Sequence, residues 1–189
     1  MRLSVVVPHW PLDDEVDDAL RRCLASLPED CEKLVIVNQG TGFARNVNTG
    51  LRLASGDFVA VVGNDSRVVE GDVHDLFMPV VVASPVVDGK PGIEADGFHG
   101  AFWVAPRDVI ARIGPLDERF EGAFFEDDDY LARLRQAGVP TRQVASVRIA
   151  SGRTGLTMSK VPEQAAAWYA ASGRRFAKKW GWTPPPLDA

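Results

Sequence analysis

Two acidic clusters in this 189-residue chain combine residue types and spacing that suit chemistry. The first, Asn64-Asp65-Ser66, directly follows the apolar run Phe58 to Val62 (FVAVV). A carboxylate at the tip of a buried strand is not needed for packing. It offers a hard oxygen to Mg²⁺ or Mn²⁺ bridging a diphosphate. An Asx turn, which Asn, Asp and Ser all favour, is the competing reading. The second cluster is Glu126-Asp127-Asp128-Asp129, four consecutive acids at the start of a helical stretch. One or two acids are enough to complement a helix dipole. Four repel one another, which raises a carboxyl's proton affinity while the helix end lowers it. A carboxyl balanced in this way can act as a general base. A third stretch, Asn38 to Arg45 (NQGTGFAR), contains a GxG. It lacks the third glycine of a dinucleotide fingerprint and follows the second apolar run instead of the first, so that motif is excluded.

These groups need elements to position them. Leu3 to Val7 (LSVVV), Lys33 to Val37 (KLVIV) and Phe58 to Val62 are β-branched runs without alternation. That is the pattern of strands covered on both faces in a parallel sheet. Between the first two, Val16, Leu20, Cys23, Leu24 and Leu27 fall at helical spacing, with Asp13 or Asp14 as cap. Between the second and third, Phe43, Val47, Leu51 and Ala54 form a stripe, with Thr41 as cap and Gly56 as stop. The order is βαβαβ, and right-handed crossovers place the helices over the sheet. Ligands bind beyond the carboxyl ends of such strands. Pro8-His9-Trp10, Asn38 to Gly42 and Gly63 to Ser66 are therefore expected to open onto one crevice.

Further along, the pattern predicts a short helix over 72–77, a strand over 80–83, a surface loop over 86–97 and a strand over 98–104. A short helix over 107–113 ends at Gly114-Pro115, and a helix over 126–137 stops at Gly138. A strand over 144–149 and an amphipathic helix over 161–180 complete the series. The stripe Trp168, Tyr169, Phe176 and Trp180 on that last helix reads as core. The expected fold class is α/β: one domain, with a Rossmann-like, mostly parallel sheet flanked by helices.

Composition narrows the function classes. Apolar residues at 46% and charged residues at 25% exclude disordered and collagen-like chains. A net charge of −5 with pI near 5.2 argues against coating a nucleic-acid backbone. No apolar run approaches the roughly 18–20 residues of a membrane helix. MRLSVVVPHW lacks the pattern of a signal peptide. Two cysteines, Cys23 and Cys31, make neither a disulfide framework nor a zinc set. The expected location is the cytoplasm (a host's cytoplasm, if a phage encodes the chain).

Four pieces in order resemble the family 2 glycosyltransferases of GT-A fold: SVVVP, VNQGT, ARNVNTGLRLASGDFVAVVGND and GAFWVAPRDVIARIGPLDERFEGAFFEDDDYLARLRQAG. The last is the most specific, similar to the family's G-x-hydrophobic-D-E-x-F followed by E-D-x-D. The resemblance implies a nucleotide-sugar half over 1–66, an acceptor and catalytic half over 67–160, and a C-terminal helix and tail over 161–189. It implies a nucleotide-sugar donor contacted by Pro8, His9, Asn38, Gly40, Arg45, Asn46 and Asn64, with Asp65 on Mn²⁺ or Mg²⁺. Asp127, with Glu126, would take the acceptor's proton during an inverting displacement. His99, Gly100, Trp103 and Asp128 would lie on the acceptor side.

Three departures stand out. Gly63 replaces the first acid of the family's D-x-D, Asn38 replaces the usual base-contacting Asp, and RIASGRTG contains no His after the last strand. Ser151 or a water would have to serve there, and Arg148, Arg153 and Lys160 could meet phosphates. His9 and His99 also read as structural histidines, and Trp10 and Trp103 as either stacking or core residues. The acceptor stays open: a glycan, a lipid-linked sugar, a small molecule or a modified DNA base. A short chain suggests an open acceptor side or one completed in a homo-oligomer. A degenerate relative that binds a nucleotide sugar or glycan without turnover is the alternative. A nucleotidyltransferase would need a Gly-rich basic loop where Pro8-His9-Trp10 stands.

Overall fold

The three apolar runs form β1 (Leu3–His9), β2 (Glu32–Val37) and β3 (Phe58–Val62) in a computed structural model that describes residues 1–38, 41–88, 97–152 and 155–181. β1 pairs in parallel with both of the others. Every residue of β1 and β3 is buried, which explains why neither alternates. Odd positions of β1 (Val5, Val7) pack with Cys23 and Leu27 on one face of the sheet. Val6 packs with Ala44, Val47, Tyr130 and Leu134 on the other. The first face is covered by α1 (Asp14–Ser26), capped by Asp13, whose carboxylate accepts from Val16 N at 3.0 Å. The second is covered by α2 (Phe43–Leu53), α3 (Arg107–Ile113) and α4 (Glu126–Gln136).

The remaining described elements are β4 (Arg67–Glu70), a 3-10 turn (Val73–Leu76), β5 (Val82–Val87), β6 (Phe102–Pro106), β7 (Thr141–Ala150), α5 (Leu156–Ser159) and α6 (Pro162–Trp180). Among the described residues the sheet has seven strands in the order β2-β1-β3-β6-β5-β7-β4. Strands β1, β2, β3, β5 and β7 run one way, while β6 and β4 run against them. The reversal of β6 sets Phe102 opposite Val62. It thereby brings the turn before β6 to the carboxyl edge of β3, where the crevice was expected.

Several boundaries differ from the sequence pattern. The strand expected at 98–104 begins only at Phe102, because Phe102 N bonds back to His99 O and closes a turn first. β5 begins two residues later than expected and extends to Val87; residues 89–96 of the expected loop lie outside the described residues. β4 and α5 are short elements without a periodic signal. Thr41 does not cap α2. The cap is Gly42, and Thr41 bonds to Asn38 and Asn46 instead. Among the described residues no helix is long and apolar enough to cross a membrane.

Helix α2 lies so close to β1 that a Cβ on Gly50 would stand 2.2 Å from Val6 Cγ1. Val6 is fully buried and has nowhere to retreat. Gly50→Ala should therefore destabilise the fold by about 1–3 kcal/mol, the usual penalty of overpacking. Chemical denaturation would measure it, and an unchanged midpoint would contradict this close approach.

Candidate functional site

The tip of β3 is a tight turn in which Ser66 N bonds to Gly63 O at 2.9 Å. Gly63 N donates to Ala101 O at 2.8 Å, tying the turn to the segment before β6. The turn is closed by backbone and not by an Asx side chain: Asn64 bonds to His9 and Thr157, and Asp65 to Leu156 N. The half-buried Asp65 carboxylate points away from its own turn and accepts from Leu156 N at 2.7 Å through Oδ2. Three glycines surround it. A Cβ on Gly63 would lie 3.3 Å from Oδ1, and one on Gly152 or Gly155 would lie 3.1 or 4.0 Å from Oδ2. At these three positions no side chain crowds the carboxylate.

Asn64 anchors the turn from behind. Its Nδ2 donates to His9 Nδ1 at 3.0 Å, which leaves the His9 Nε2–H to face Asp17 Oδ1 at 2.9 Å. His9 is only 4% exposed, so it supports Asn64 and does not stand free in the crevice. Asn64 also meets Thr157 Oγ1 at 3.3 Å, and Lys160 reaches Asp13 at 2.9 Å and Glu15. Through these bonds α5 lies across the tips of β1 and β3.

The second acidic cluster lies on the other side of the 98–101 turn. His99 builds that turn: its N bonds to Ser84 Oγ at 3.0 Å and its Nδ1 accepts from Ala101 N at 3.1 Å. Gly100 faces α4 directly. A Cβ there would stand 1.9 Å from Asp127 Oδ2, so the carboxyl occupies the place of a missing side chain. Phe124 and Phe125 lead into α4 with φ of 76° and 67°, a left-handed conformation costly for bulky residues. The packing of Phe125 on Phe176 and Tyr169 holds this bend in place.

Burial divides the four acids into different roles. Glu126 is 5% exposed, and among the described residues its Oε2 has no hydrogen-bond partner. Burial first, then the charge of Asp127, pushes its carboxyl well above the ordinary range. Burial also raises Asp127, against the pull of the helix-end N–H of Asp128, 3.0 Å from Oδ1. Partial desolvation and the charge of Asp127 push Asp128 up to about 7. Asp128 keeps solvent contact, so this upward push belongs to the pair. Asp129 is fully buried and held by Arg133 at 3.0 Å, Trp180 Nε1 at 2.9 Å and Lys179 at 2.5 Å. It fastens α6 to α4.

The other expected contacts fall into several groups. Arg45 is exposed and pairs with Glu118 at 3.4 Å. Asn46 is buried and braces its own helix start through Gly42 O at 2.5 Å. Asn38 accepts from Thr41 N at 2.8 Å through its side chain, and Pro8 is buried within β1 opposite Ile36. Gly40 and Arg153 lie outside the described residues. Trp103, expected toward the acceptor, is 2% exposed and stacks on Tyr130 at 5.2 Å; it belongs to the core beneath the site. Arg148 is engaged by Asp88 at 2.5 Å, and Lys160 by α1. Trp168, read as core, is half-buried at a cleft beside α2. Gly152, Gly155 and Thr157 were not expected at all. The glycines flanking residues 153–154 were their one sequence signal.

Among the described residues no three His, Cys, Asp or Glu side chains converge into a metal-binding set. Asp65, in its glycine cradle, has one carboxylate oxygen bonded to Leu156 N and the other beside Gly63. One carboxylate suits Mg²⁺ or Mn²⁺, whose other ligands are commonly substrate phosphates and water.

No protein-family model matches the sequence, and no curated protein matches it by sequence comparison. Solved structures do match in three dimensions. A mannosyltransferase from Pyrobaculum calidifontis, in complex with GDP-Man and Mn²⁺, gives a TM-score of 0.63 at 16% identity; the match covers 98% of this chain and 66% of that one. A variant of Drosophila β1,4-galactosyltransferase 7, with manganese, UDP-Gal and xylobiose, gives 0.57 at 18% identity, covering 76% of this chain and 65% of that one. GalNAc-T7, with UDP, GalNAc and Mn²⁺, gives 0.59 at 13% identity, covering 79% and 43%. This chain spans less than two thirds of each. The fold is that of the GT-A glycosyltransferases.

The raised carboxyl of Glu126 makes stability depend on pH. The folded chain keeps a proton that the unfolded chain releases above the ordinary glutamate value. Folded stability therefore declines there by up to about 1.4 kcal/mol per pH unit, until the folded-state value is reached. Glu126→Gln removes this titration, so its Tm advantage over wild type should widen from about pH 5 to about pH 7. A difference that stays constant over that range would contradict a buried, unpaired Glu126.

Proposed function

We propose that this chain is a glycosyltransferase of the family 2 type, moving a sugar from a nucleotide-sugar donor to an acceptor hydroxyl with inversion. The observation that carries this is the Asp127 carboxyl seated on bare Gly100, with its proton affinity raised, across one turn from Asp65. The nucleotide sugars and Mn²⁺ in the structurally similar proteins support it. Residues 1–66 form the donor half in this reading and 67–160 the acceptor half.

Asp65 would hold Mn²⁺ or Mg²⁺, which would supply positive charge to offset that on the leaving diphosphate. Gly63, Gly152 and Gly155 leave room for those phosphates. Asp127 takes the proton of the acceptor hydroxyl while its oxygen attacks the anomeric carbon. The bond from that carbon to the diphosphate oxygen breaks in the same displacement, so the configuration inverts. Glu126, buried beside Asp127 and with its proton affinity raised, lowers the tendency to place a second full charge next to the base. Raised proton affinity suits the base, because its proton transfer is most effective near the working pH.

One observation favours the second reading, a binder without turnover. Asp65 belongs to no set of three His, Cys, Asp or Glu side chains among the described residues, and Leu156 N already uses one of its oxygens.

Asp127→Asn separates the two. It should lower the transfer rate by roughly 10²–10⁴-fold, the usual contribution of a general base, while nucleotide affinity stays within about twofold. Transfer by the wild type should rise with pH along a limb above the ordinary aspartate range, because only the deprotonated base works. A wild-type rate in Asp127→Asn would refute the assignment. Nucleotide-sugar binding with no transfer to any acceptor would favour the binder.

A further inference from the structure

We propose that the cleft between α2, the 117–122 segment and α6 is a subsite for a neutral saccharide, which makes the acceptor a carbohydrate; this rests on the transferase reading above. The cleft encloses about 420 Å³ and is lined by Thr41, Arg45, Glu118, Glu121, Gln164 and Trp168 over a floor at Gly122. That volume lies within the range of small-molecule sites, but those are mostly apolar. This wall is polar, so its occupant must be polar as well.

Charge selects among polar occupants. Two carboxylates face one guanidinium, and Arg45 is already paired with Glu118 at 3.4 Å. The wall is net acidic and repels phosphate. Sugar hydroxyls fit it, because each can donate to a carboxylate and accept from Arg45, Gln164 or Thr41. Glu118 is held from behind by Asn48 Nδ2 at 3.0 Å, so one acceptor is fixed before any ligand arrives.

Trp168 supplies the apolar part. Its indole lies on Gly122, where a Cβ would stand 2.1 Å from Cδ2, so only glycine permits this placement. Phe43 N bonds to Gly122 O at 2.6 Å and locks that floor to α2. Gln164 and Trp168 are one helical turn apart and share a face of α6. A half-buried indole among planar polar groups suits a ring with apolar C–H faces and polar edges.

The cleft adjoins the crevice. Trp168 is 6.0 Å from Trp10, which follows the His9 that braces Asn64. The segment forming its wall runs on into Asp127 five residues after Gly122. A saccharide seated there is next to the donor edge, on the side that carries the base.

Saturation-transfer NMR with a panel of neutral disaccharides of different linkage, and separately with uridine and guanosine monophosphates, tests this without turnover. At least one disaccharide should bind. Trp168→Ala should weaken it at least about tenfold, as removal of an aromatic anchor does. Trp168→Phe, which keeps a ring on Gly122, should retain most of the affinity and guards against simple loss of fold. Nucleotide binding should be unchanged in both variants. The proposal is overturned if no disaccharide binds, if Trp168→Ala binds the disaccharide as wild type does, or if it is the nucleotide that the variant loses. Because the readout is binding, an Asp127→Asn variant with normal transfer would refute the general base and leave this subsite standing.

Discussion

The structure depends on one contact, a carboxyl resting where a side chain is missing. Asp127 Oδ2 fills the position that a Cβ of Gly100 would take, 1.9 Å away. Such a fit requires β6 to run against β3, so that its leading turn reaches the carboxyl edge. It also requires the left-handed bend at Phe124 and Phe125 that aims the first turn of α4 at that turn. The bend is held by the aromatic cluster under α6, and α6 by the ion pair of Lys179 and the hydrogen bond of Trp180 to Asp129. A helix end at the surface gains a carboxyl of raised proton affinity because distant packing holds it there.

The two sides of the crevice are built on opposite electrostatic principles. Around Asp65, three glycines leave space beside the carboxylate, which suits an oxygen ligand for a hard cation. Around Asp127 and Glu126, burial disfavours charge and raises proton affinity, which suits proton transfer.

The sheet was legible where chemistry and burial leave no choice. Runs such as LSVVV and FVAVV read directly as doubly covered strands, and Asp13 as a cap. The acidic cluster was visible as a cluster, but its division was not. Nothing local distinguishes Asp127 from Asp129; Lys179 and Trp180, some fifty residues away, make that difference. His9 and Asn46 were recognised as belonging near the site, yet each turns inward: His9 braces Asn64, and Asn46 its own helix start at Gly42. Of the two readings of Trp103 the core one holds, while Trp168, read as core, lines a cleft. An aromatic stripe does not reveal which ring meets a glycine floor and which meets Tyr130.

The central claim is that Asp65 and Asp127 face one crevice. Carbon-detected NMR of the side-chain carboxyls during a Mn²⁺ titration with UDP present tests it most directly, since the bound ion broadens only nearby carboxyls. The account predicts that Asp65 broadens first and Asp127 next, while Asp30, at the far edge of the sheet before β2, stays sharp. An Asp127 signal as sharp as that of Asp30 would contradict it.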